Sequence, residues 1–200
     1  DEHNNKTSYT YNYNTGNILT VTAPNGAVTV NGYNSNFTRQ TSVTNGTNTV
    51  GYTYDKDRLS SIIFGSGSKS EKYEFKYDRW GNVEQTLVGE QPLSTNTFGK
   101  NNNLLTKTEY GTGDKIVYTY SNLGNKKSET HNGTGYYYWN YLSDGTLSSH
   151  LDKHNDLGYH YEYDSLGRMA KQTITDYDND EFVGYVEQGY DKRNNVNNLI

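Results

Sequence analysis

The chain has 200 residues, of which 31% are hydrophobic, and a formal net charge of −5 at pH 7. It contains no run near the roughly 18 apolar residues of a membrane-spanning helix, and its scattered lysines and arginines form no basic stripe for nucleic acid. The absence of cysteine excludes disulfides, thiolate metal sites and cysteine nucleophiles. The first residues lack the basic and apolar regions of a signal peptide.

Tyrosine supplies the apolar surface that aliphatic residues supply in most globular proteins. The chain has 21 tyrosines and 20 glycines but only two prolines. This composition favours an all-β chain that is rich in turns, and no segment has a sustained helical period. We therefore expect essentially no α-helix.

In chain order, the predicted strands alternate aromatic and polar residues. The aromatic members are Tyr9, Tyr11 and Tyr13, then Tyr52 and Tyr54, then Tyr73, Phe75 and Tyr77, then Tyr118 and Tyr120, then Tyr159, Tyr161 and Tyr163. Side chains two positions apart share one face of a strand. Each strand thus has an aromatic face and a polar face, which is typical of half-buried antiparallel sheets.

Aromatic anchors recur at intervals of 20 to 23 residues, with a last interval of 27. The nine anchors are Tyr13, Tyr33, Tyr54, Tyr77, Phe98, Tyr120, Tyr141, Tyr163 and Tyr190. Asp or Asn follows six of them, and in four units a glycine stands four residues after the anchor, at Gly81, Gly124, Gly145 and Gly167. An Asp or Asn can bond its own backbone two residues on, and glycine accepts a positive φ. Each unit is therefore predicted to be two strands joined by a tight turn.

These units predict one domain, a single array of about nine hairpins over residues 1–200. A lone hairpin is marginal in water, so the hairpins must share a continuous, curved antiparallel sheet. Aromatic rings would then form cross-strand ladders. Because tyrosine tolerates water at its hydroxyl, we expect the aromatic face to look onto a partly hydrated interior. Gly65–Ser68 is predicted to be a hairpin turn and not a phosphate loop.

Three of the turns carry a family signature. The segments Tyr-Asp-Arg-Trp-Gly-Asn-Val (77–83), Tyr-Ser-Asn-Leu-Gly-Asn-Lys (120–126) and Tyr-Asp-Ser-Leu-Gly-Arg-Met (163–169) resemble the YD repeat of the Rhs and wall-associated polymorphic-toxin family, which teneurin-type surface proteins share. The resemblance implies a spiralling β-sheet that forms part of a hollow shell. In bacteria such a shell encloses a C-terminal toxin, and in teneurins it supports adhesion.

The resemblance also implies a function and partners. We expect a structural, non-catalytic segment of a secreted or cell-surface shell, whose partners are the rest of that shell or a cargo domain. Exposed sheet edges at the ends of the array can promote self-association. No cofactor is expected, and the lack of cysteine favours a bacterial protein over an animal teneurin.

An alternative function is a carbohydrate- or protein-binding adhesin module. Tyr136 and Tyr138 are predicted to lie opposite the ladder face that holds Tyr137, and Trp80 lies in a turn. Such aromatic rings could stack on a sugar or on a protein partner, whereas packing under a neighbouring loop is the alternative.

Metal sites and catalytic sites have little support. Acidic residues in Asp176–Glu187 partly match a calcium loop, but position six is Glu181 where a glycine is required, so an acidic surface loop is expected and calcium is left open. His150, His154 and His160, near Asp152 and Asp156, are expected to be surface histidines. Because no nucleophile elbow or phosphate loop is present, no catalytic residue is assigned.

Overall fold

The computed structural model of the protein describes residues 5–65 and 69–200. Part of the predicted turn at Gly65–Ser68 lies outside these residues. Within them the strands are β1 (Ser8–Tyr11), β2 (Ile18–Thr22), β3 (Val28–Tyr33), β4 (Gln40–Asn45), β5 (Asn48–Asp55), β6 (Arg58–Phe64), β7 (Glu71–Tyr77), β8 (Val83–Val88), β9 (Gln91–Phe98), β10 (Leu105–Tyr110), β11 (Lys115–Tyr120), β12 (Lys126–His131), β13 (Thr134–Tyr141), β14 (Leu147–Asp152), β15 (Leu157–Tyr163), β16 (Met169–Asp176), β17 (Phe182–Tyr190) and β18 (Val196–Leu199).

The chain divides into two compact units, residues 1–95 and 96–200, and β9 runs across the division. In the first unit, each strand from β1 to β9 pairs antiparallel with the next strand in sequence. In the second unit, β10 to β18 do the same. The predicted all-β class built of tandem antiparallel hairpins is confirmed. The single-array domain organisation stays a prediction.

Helices contribute almost nothing to the described part of the chain. No α-helix occurs in residues 5–65 or 69–200. Correspondingly, these residues contain no helix with the length and apolarity needed to cross a bilayer.

A β-bulge marks the end of the repeated hairpin. Lys76 pairs with Gln85, yet the next residue, Tyr77, pairs with Val83, so Glu84 is an extra residue on the outgoing strand. The same register shift occurs at Tyr33, Tyr54, Tyr77, Tyr120, Tyr141, Tyr163 and Tyr190. An extra residue of this kind breaks the ladder locally and redirects a strand. The anchor is therefore defined by backbone geometry as well as by its aromatic ring.

The first anchor was predicted at the wrong residue. Strand β1 ends at Tyr11, which pairs with Ile18 across the same kind of register shift. Tyr13 lies in the following turn and is fully exposed. The alternation of Tyr9, Tyr11 and Tyr13 could not show where the strand stops, because the turn after Tyr11 continues the same spacing.

Positive-φ turn positions do not all require glycine. Gly167 has φ 76° and Gly145 has φ 89° in their turns. Asn194, four residues after Tyr190, has φ 65°, and Phe37, four residues after Tyr33, has φ 55°. Asn tolerates this region better than most residues, whereas a bulky side chain such as Phe rarely occupies it. The positive φ of the turn is therefore preserved even in units that lack the usual glycine.

The sheet has no dry core in the described residues. Leu87, at 7% exposure, is the one buried hydrophobic residue there, and no described side chain is below 2%. The anchors other than Tyr13 are half-buried. This burial agrees with an aromatic face that is covered by its own neighbours and still reached by water.

Candidate functional site

The hydroxyl groups of the anchor tyrosines connect successive hairpins. Each of seven anchors donates a hydrogen bond of 2.6–3.0 Å to a main-chain carbonyl at the start of the preceding strand. These bonds run from Tyr33 to Ile18, Tyr54 to Gln40, Tyr77 to Leu59, Tyr120 to Leu105, Tyr141 to Lys126, Tyr163 to Leu147, and Tyr190 to Met169. We call this set of bonds the anchor relay.

The acceptor is set by the preceding bulge. Tyr141 pairs with Leu147, and the carbonyl of Leu147 accepts from Tyr163 in the next hairpin. In the same way Tyr163 pairs with Met169, whose carbonyl accepts from Tyr190. A buried polar group needs a partner, and the tyrosine hydroxyl reaches a carbonyl at the position where the ladder is broken. The relay therefore couples each hairpin to the one before it.

Hydrogen bonds of the relay, and not ring stacking, join successive anchors. Among described residues, no ring contact joins one anchor to the next. Anchor-bearing strands are separated by an intervening strand, and neighbouring strands lie about 4.8 Å apart. The rings are thus too far apart to stack, but a phenol is long enough to reach the intervening backbone.

Burial favours the protonated form of two of the donors, Tyr120 and Tyr141. It raises the pKa of Tyr141, and together with the nearby Glu129 carboxylate it raises the pKa of Tyr120. A phenol with a raised pKa remains a hydrogen-bond donor over the whole physiological range.

The residue after the anchor organises the turn, as predicted. Oδ1 of Asp164 accepts hydrogen bonds from the backbone N–H of Leu166 at 2.9 Å and of Arg168 at 3.0 Å. Its Oδ2 accepts from Nε of Arg168 at 2.7 Å. The hydrogen bonds from Arg168 lower the pKa of Asp164, and those from Asn195 lower the pKa of Asp191. The carboxylate form therefore holds the turn.

Arginines add a second link between hairpins, which sequence reasoning missed. The guanidinium of Arg168 lies 4.3 Å from the ring centre of Tyr190, and its Nη1 donates to Oδ1 of Asn194 at 2.7 Å. Arg58 makes the equivalent contact with Tyr77 at 5.5 Å. Arg39 does so with Tyr54, also at 5.5 Å. The sequence carries a signal for these contacts, because each of the three arginines stands four to six residues after an anchor.

Tyr136 is placed differently from the prediction. A second bulge skips Tyr136 in the pairing of β12 with β13. Its ring therefore contacts the same histidine as the ring of Tyr137. The ring centre of His131 lies 4.3 Å from that of Tyr136 and 6.4 Å from that of Tyr137. The expectation that Tyr136 lies opposite Tyr137 is wrong. His154 stacks on Tyr136 at 5.6 Å, so its ring contacts side chains of the chain itself.

The rings of Tyr138 and Trp80 differ in exposure, because Tyr138 is half-buried and Trp80 is exposed. The ammonium of Lys153 lies 5.8 Å from the Tyr138 ring centre and 5.0 Å from that of Tyr177. Trp80 is 63% exposed, with the guanidinium of Arg79 at 4.8 Å from its ring. The ligand-stacking role of Trp80, Tyr136 and Tyr138 stays a prediction.

The histidines take part in aromatic packing. His150 lies between Trp139 at 5.2 Å and Tyr159 at 5.4 Å, with nearly parallel rings. Burial lowers the pKa of His150, an effect that Asp152 opposes. Asp152 is itself occupied with the backbone N–H groups of His154 and Asn155. His160 lies exposed on β15, apart from this stack.

The acidic loop directs its side chains to its own backbone. Oδ1 of Asp176 accepts from the N–H of Asp178 at 3.0 Å, and Oδ1 of Asn179 accepts from the N–H of Glu181 at 3.0 Å. In residues 5–65 and 69–200 no group of three or more His, Cys, Asp or Glu side chains could hold a metal ion. Calcium binding by Asp176–Glu187 gains no support from this arrangement.

Comparison with known proteins points to one type of repeat. The tRNA3(Ser)-specific nuclease WapA of Bacillus spizizenii is 28% identical over 152 residues, which are 74% of this chain and 6% of that protein. The crystal structure of TcdB2–TccC3 matches 96% of this chain with a TM-score of 0.58 and 13% identity. The structure of TcdB2–TccC3–Cdc42 matches 92% with a TM-score of 0.56 and 13% identity. No family model matches the chain.

This chain is much shorter than these relatives. It spans 12% of the chain in both crystal structures. The similarity therefore concerns the repeats and their fold. Combined with the recurring anchor, Asp or Asn turn and bulge, it identifies the chain as a YD/Rhs-repeat protein.

Proposed function

We propose that this segment is part of the wall of a secreted or cell-surface β-shell that encloses or supports a toxin or adhesion domain. Its partners are the rest of that shell or the cargo domain. The segment itself is non-catalytic and acts by holding its shape.

The anchor relay is the observation that carries this proposal. Seven hydroxyl bonds, each between one hairpin and the one before it, give a connection that repeats along the chain. Stability in such a chain is the sum of many neighbour contacts and does not depend on a central core. A protein of this kind can form a thin wall, because its sheet does not need a second layer of structure packed against one face.

The burial pattern supports the same conclusion. A solid domain of this size would bury large aliphatic side chains in one core, whereas Leu87 alone is buried among the described hydrophobic residues. Both surfaces of the sheet remain in reach of solvent. One surface can therefore face an enclosed, hydrated space while the other faces the outside.

Electron cryomicroscopy of the intact protein that carries this segment tests the proposal. We expect residues 5–200 to form consecutive hairpins in the wall of a hollow particle. A compact sandwich that packs both faces of these hairpins, or a position outside any shell, would refute it.

The non-catalytic part of the proposal has its own test. Because one relative is a tRNA nuclease, the purified chain should be incubated with total tRNA and with divalent cations. We expect intact tRNA after prolonged incubation. Cleavage that persists through further purification would show that the segment has an active site.

A further inference from the structure

We propose that two copies of this chain associate head to tail. Strand β18 of one copy pairs antiparallel with strand β1 of the second copy, and the hydroxyl of Tyr11 in the second copy donates to the carbonyl of Val196 in the first. The inference uses only the anchor relay and the strand registers. It can therefore fail while the wall function holds, and it can hold while the wall function fails.

The relay is open at both ends of the described chain. Tyr11 ends β1 and pairs with Ile18, whose carbonyl accepts from Tyr33. The Tyr11 side chain is 55% exposed, and no residue in 5–65 or 69–200 accepts a hydrogen bond from its hydroxyl. At the other end, Tyr190 pairs with Val196. No tyrosine hydroxyl of the described residues donates to the Val196 carbonyl. One end thus has a donor and the other end has the matching acceptor.

The junctions that the relay spans all share one register. At each of them, the residue two positions after the carbonyl acceptor pairs with the residue three positions before the tyrosine donor. The seven pairs are Thr20 with Val30, Ser42 with Gly51, Ser61 with Glu74, Lys107 with Val117, Ser128 with Tyr138, Ser149 with His160, and Lys171 with Glu187. A relay bond is therefore tied to one alignment of the two strands.

The same rule gives the register between copies. Asn198 stands two positions after Val196, and Ser8 stands three positions before Tyr11. Asn198 of one copy is therefore expected to pair with Ser8 of the other. In this alignment the Tyr11 hydroxyl lies at the Val196 carbonyl, as the donors and acceptors do at the seven junctions within the chain.

Both edges are accessible and lack the usual protection against pairing. All four residues of β1 and all four of β18 are exposed. Among the described strands, β1 pairs with β2 alone and β18 pairs with β17 alone. Neither strand contains a proline or a charged residue, which are common means of keeping an exposed edge from pairing.

Pairing would also cover exposed apolar side chains. Tyr9 is 49% exposed and Leu199 is 65% exposed. In the derived register Leu199 lies on the same face as Tyr9 and diagonal to it, which is within reach of an aromatic ring.

A second copy with opposite ends in contact is the occupant that fits these edges. Pairing of β1 with another β1 would bring two donors together and leave both acceptors open. Pairing of β18 with another β18 would do the reverse. A head-to-tail contact, which joins two different surfaces, satisfies one donor and one acceptor and continues the relay from copy to copy.

Sedimentation velocity of the chain from about 10 µM to 1 mM tests the association. We expect the average sedimentation coefficient to rise with concentration. Tyr11→Phe keeps the ring and should weaken association on the order of five-fold, the effect of one neutral hydrogen bond. Tyr13→Phe deletes a fully exposed hydroxyl two positions further on and is the matched control. A chain that stays monomeric at the highest concentration, or equal association of the two variants, would overturn the proposal.

Single cysteines test the register, because the chain has no cysteine of its own. Ser8→Cys mixed with Asn198→Cys in oxidised glutathione should form a mixed disulfide, since directly paired residues have Cβ atoms about 4.5–5.5 Å apart and a disulfide needs about 3.5–4.5 Å. Asn197→Cys is the matched control. Its side chain points to the other face of the strand, so its mixed disulfide with Ser8→Cys should form roughly ten-fold more slowly.

Mass spectrometry with one chain ¹⁵N-labelled distinguishes the mixed disulfide from the two homodimers. We expect the mixed product of Ser8→Cys and Asn198→Cys to dominate. Equal rates for Asn198→Cys and Asn197→Cys, or a preference for either homodimer, would refute the head-to-tail register.

Discussion

Removal of one anchor hydroxyl should weaken the sheet by a measurable and small amount. Tyr163→Phe keeps the ring and deletes the 2.7 Å bond to the carbonyl of Leu147. A neutral hydrogen bond of this kind contributes about 0.5–1.5 kcal/mol net. For a chain of this length, 1 kcal/mol corresponds to a shift in Tm of roughly 2–4 °C. The chain tolerates a phenylalanine anchor at Phe98, so the variant is expected to fold.

Removal of all the hydrogen bonds of the anchor relay should lower the stability much more than removal of one. Seven such bonds occur, and effects at separate sites add when the sites share no partners. Replacement of all seven tyrosines by phenylalanine should therefore remove on the order of 7 kcal/mol, if each bond contributes about 1 kcal/mol. Typical domains have a total stability of about 5–15 kcal/mol. We expect the sevenfold variant to be largely unfolded or marginally folded.

Urea unfolding followed by circular dichroism in the β-sheet band measures both effects. Tyr13→Phe is the matched control, because Tyr13 is fully exposed, and its midpoint should equal that of the wild type. The reasoning is refuted if Tyr163→Phe has the same unfolding free energy as Tyr13→Phe, or if the sevenfold variant keeps the wild-type midpoint.

Three further predictions concern the turns and the histidine stack. Gly167→Ala, at φ 76° with open space around the Cβ position, should lower the free energy of unfolding by about 1–2 kcal/mol. Gly184→Ala has equal space and no positive φ, so it should lower the free energy of unfolding by no more than about 0.5 kcal/mol. Chemical denaturation compares the two variants, and equal losses would contradict the strain argument. Because the fold lowers the pKa of Asp164 below the ordinary value of 3.8, its contribution is present above that pH and is lost as the pH falls below it. Thermal unfolding at successive pH values should show a Tm that drops on acidification, with a shallower drop in Asp164→Asn; identical slopes would count against the turn role. The lowered pKa of His150 predicts stability that is present above pH 6.5 and is lost as the pH falls through the folded-state pKa. Trp139 fluorescence, with the other tryptophan replaced by phenylalanine, should change with a midpoint below 6.5, and a midpoint at or above that value would refute the packing argument.

Local features of the fold followed from the sequence because they depend on neighbouring residues. Alternation of aromatic and polar residues before Tyr77 or Tyr163 predicts a strand with two different faces. The Asp or Asn after an anchor predicts the turn that follows it. Its side-chain oxygen accepts from backbone N–H groups two to four residues further on, so no distant partner is needed. The repeat length then fixes the number of hairpins. The same reasoning placed the first anchor at Tyr13, because nothing local distinguishes it from Tyr11.

The candidate site was only partly predictable. The sequence singled out Tyr136 and Tyr138 as unusual, but the bulge in β13 that moves Tyr136 against His131 depends on how β12 pairs with it. The row that Asn140, Ser149 and His160 form across β13, β14 and β15 depends on two strand registers at once. One shift of register moves every side chain to the other face, so alternation alone cannot place Asn140, Ser149 and His160 in one row.

By itself, the sequence determined that this protein is an array of antiparallel hairpins with aromatic anchors and Asp- or Asn-stabilised turns, because these features arise within about ten residues of chain. The tertiary structure alone decided what the anchors do. A tyrosine hydroxyl finds its acceptor 14 to 21 residues away, at a carbonyl near a bulge. Only the pairing of complete strands brings such groups to within 3 Å of each other, and that pairing connects a row of similar tyrosines through the backbone of one hairpin after another.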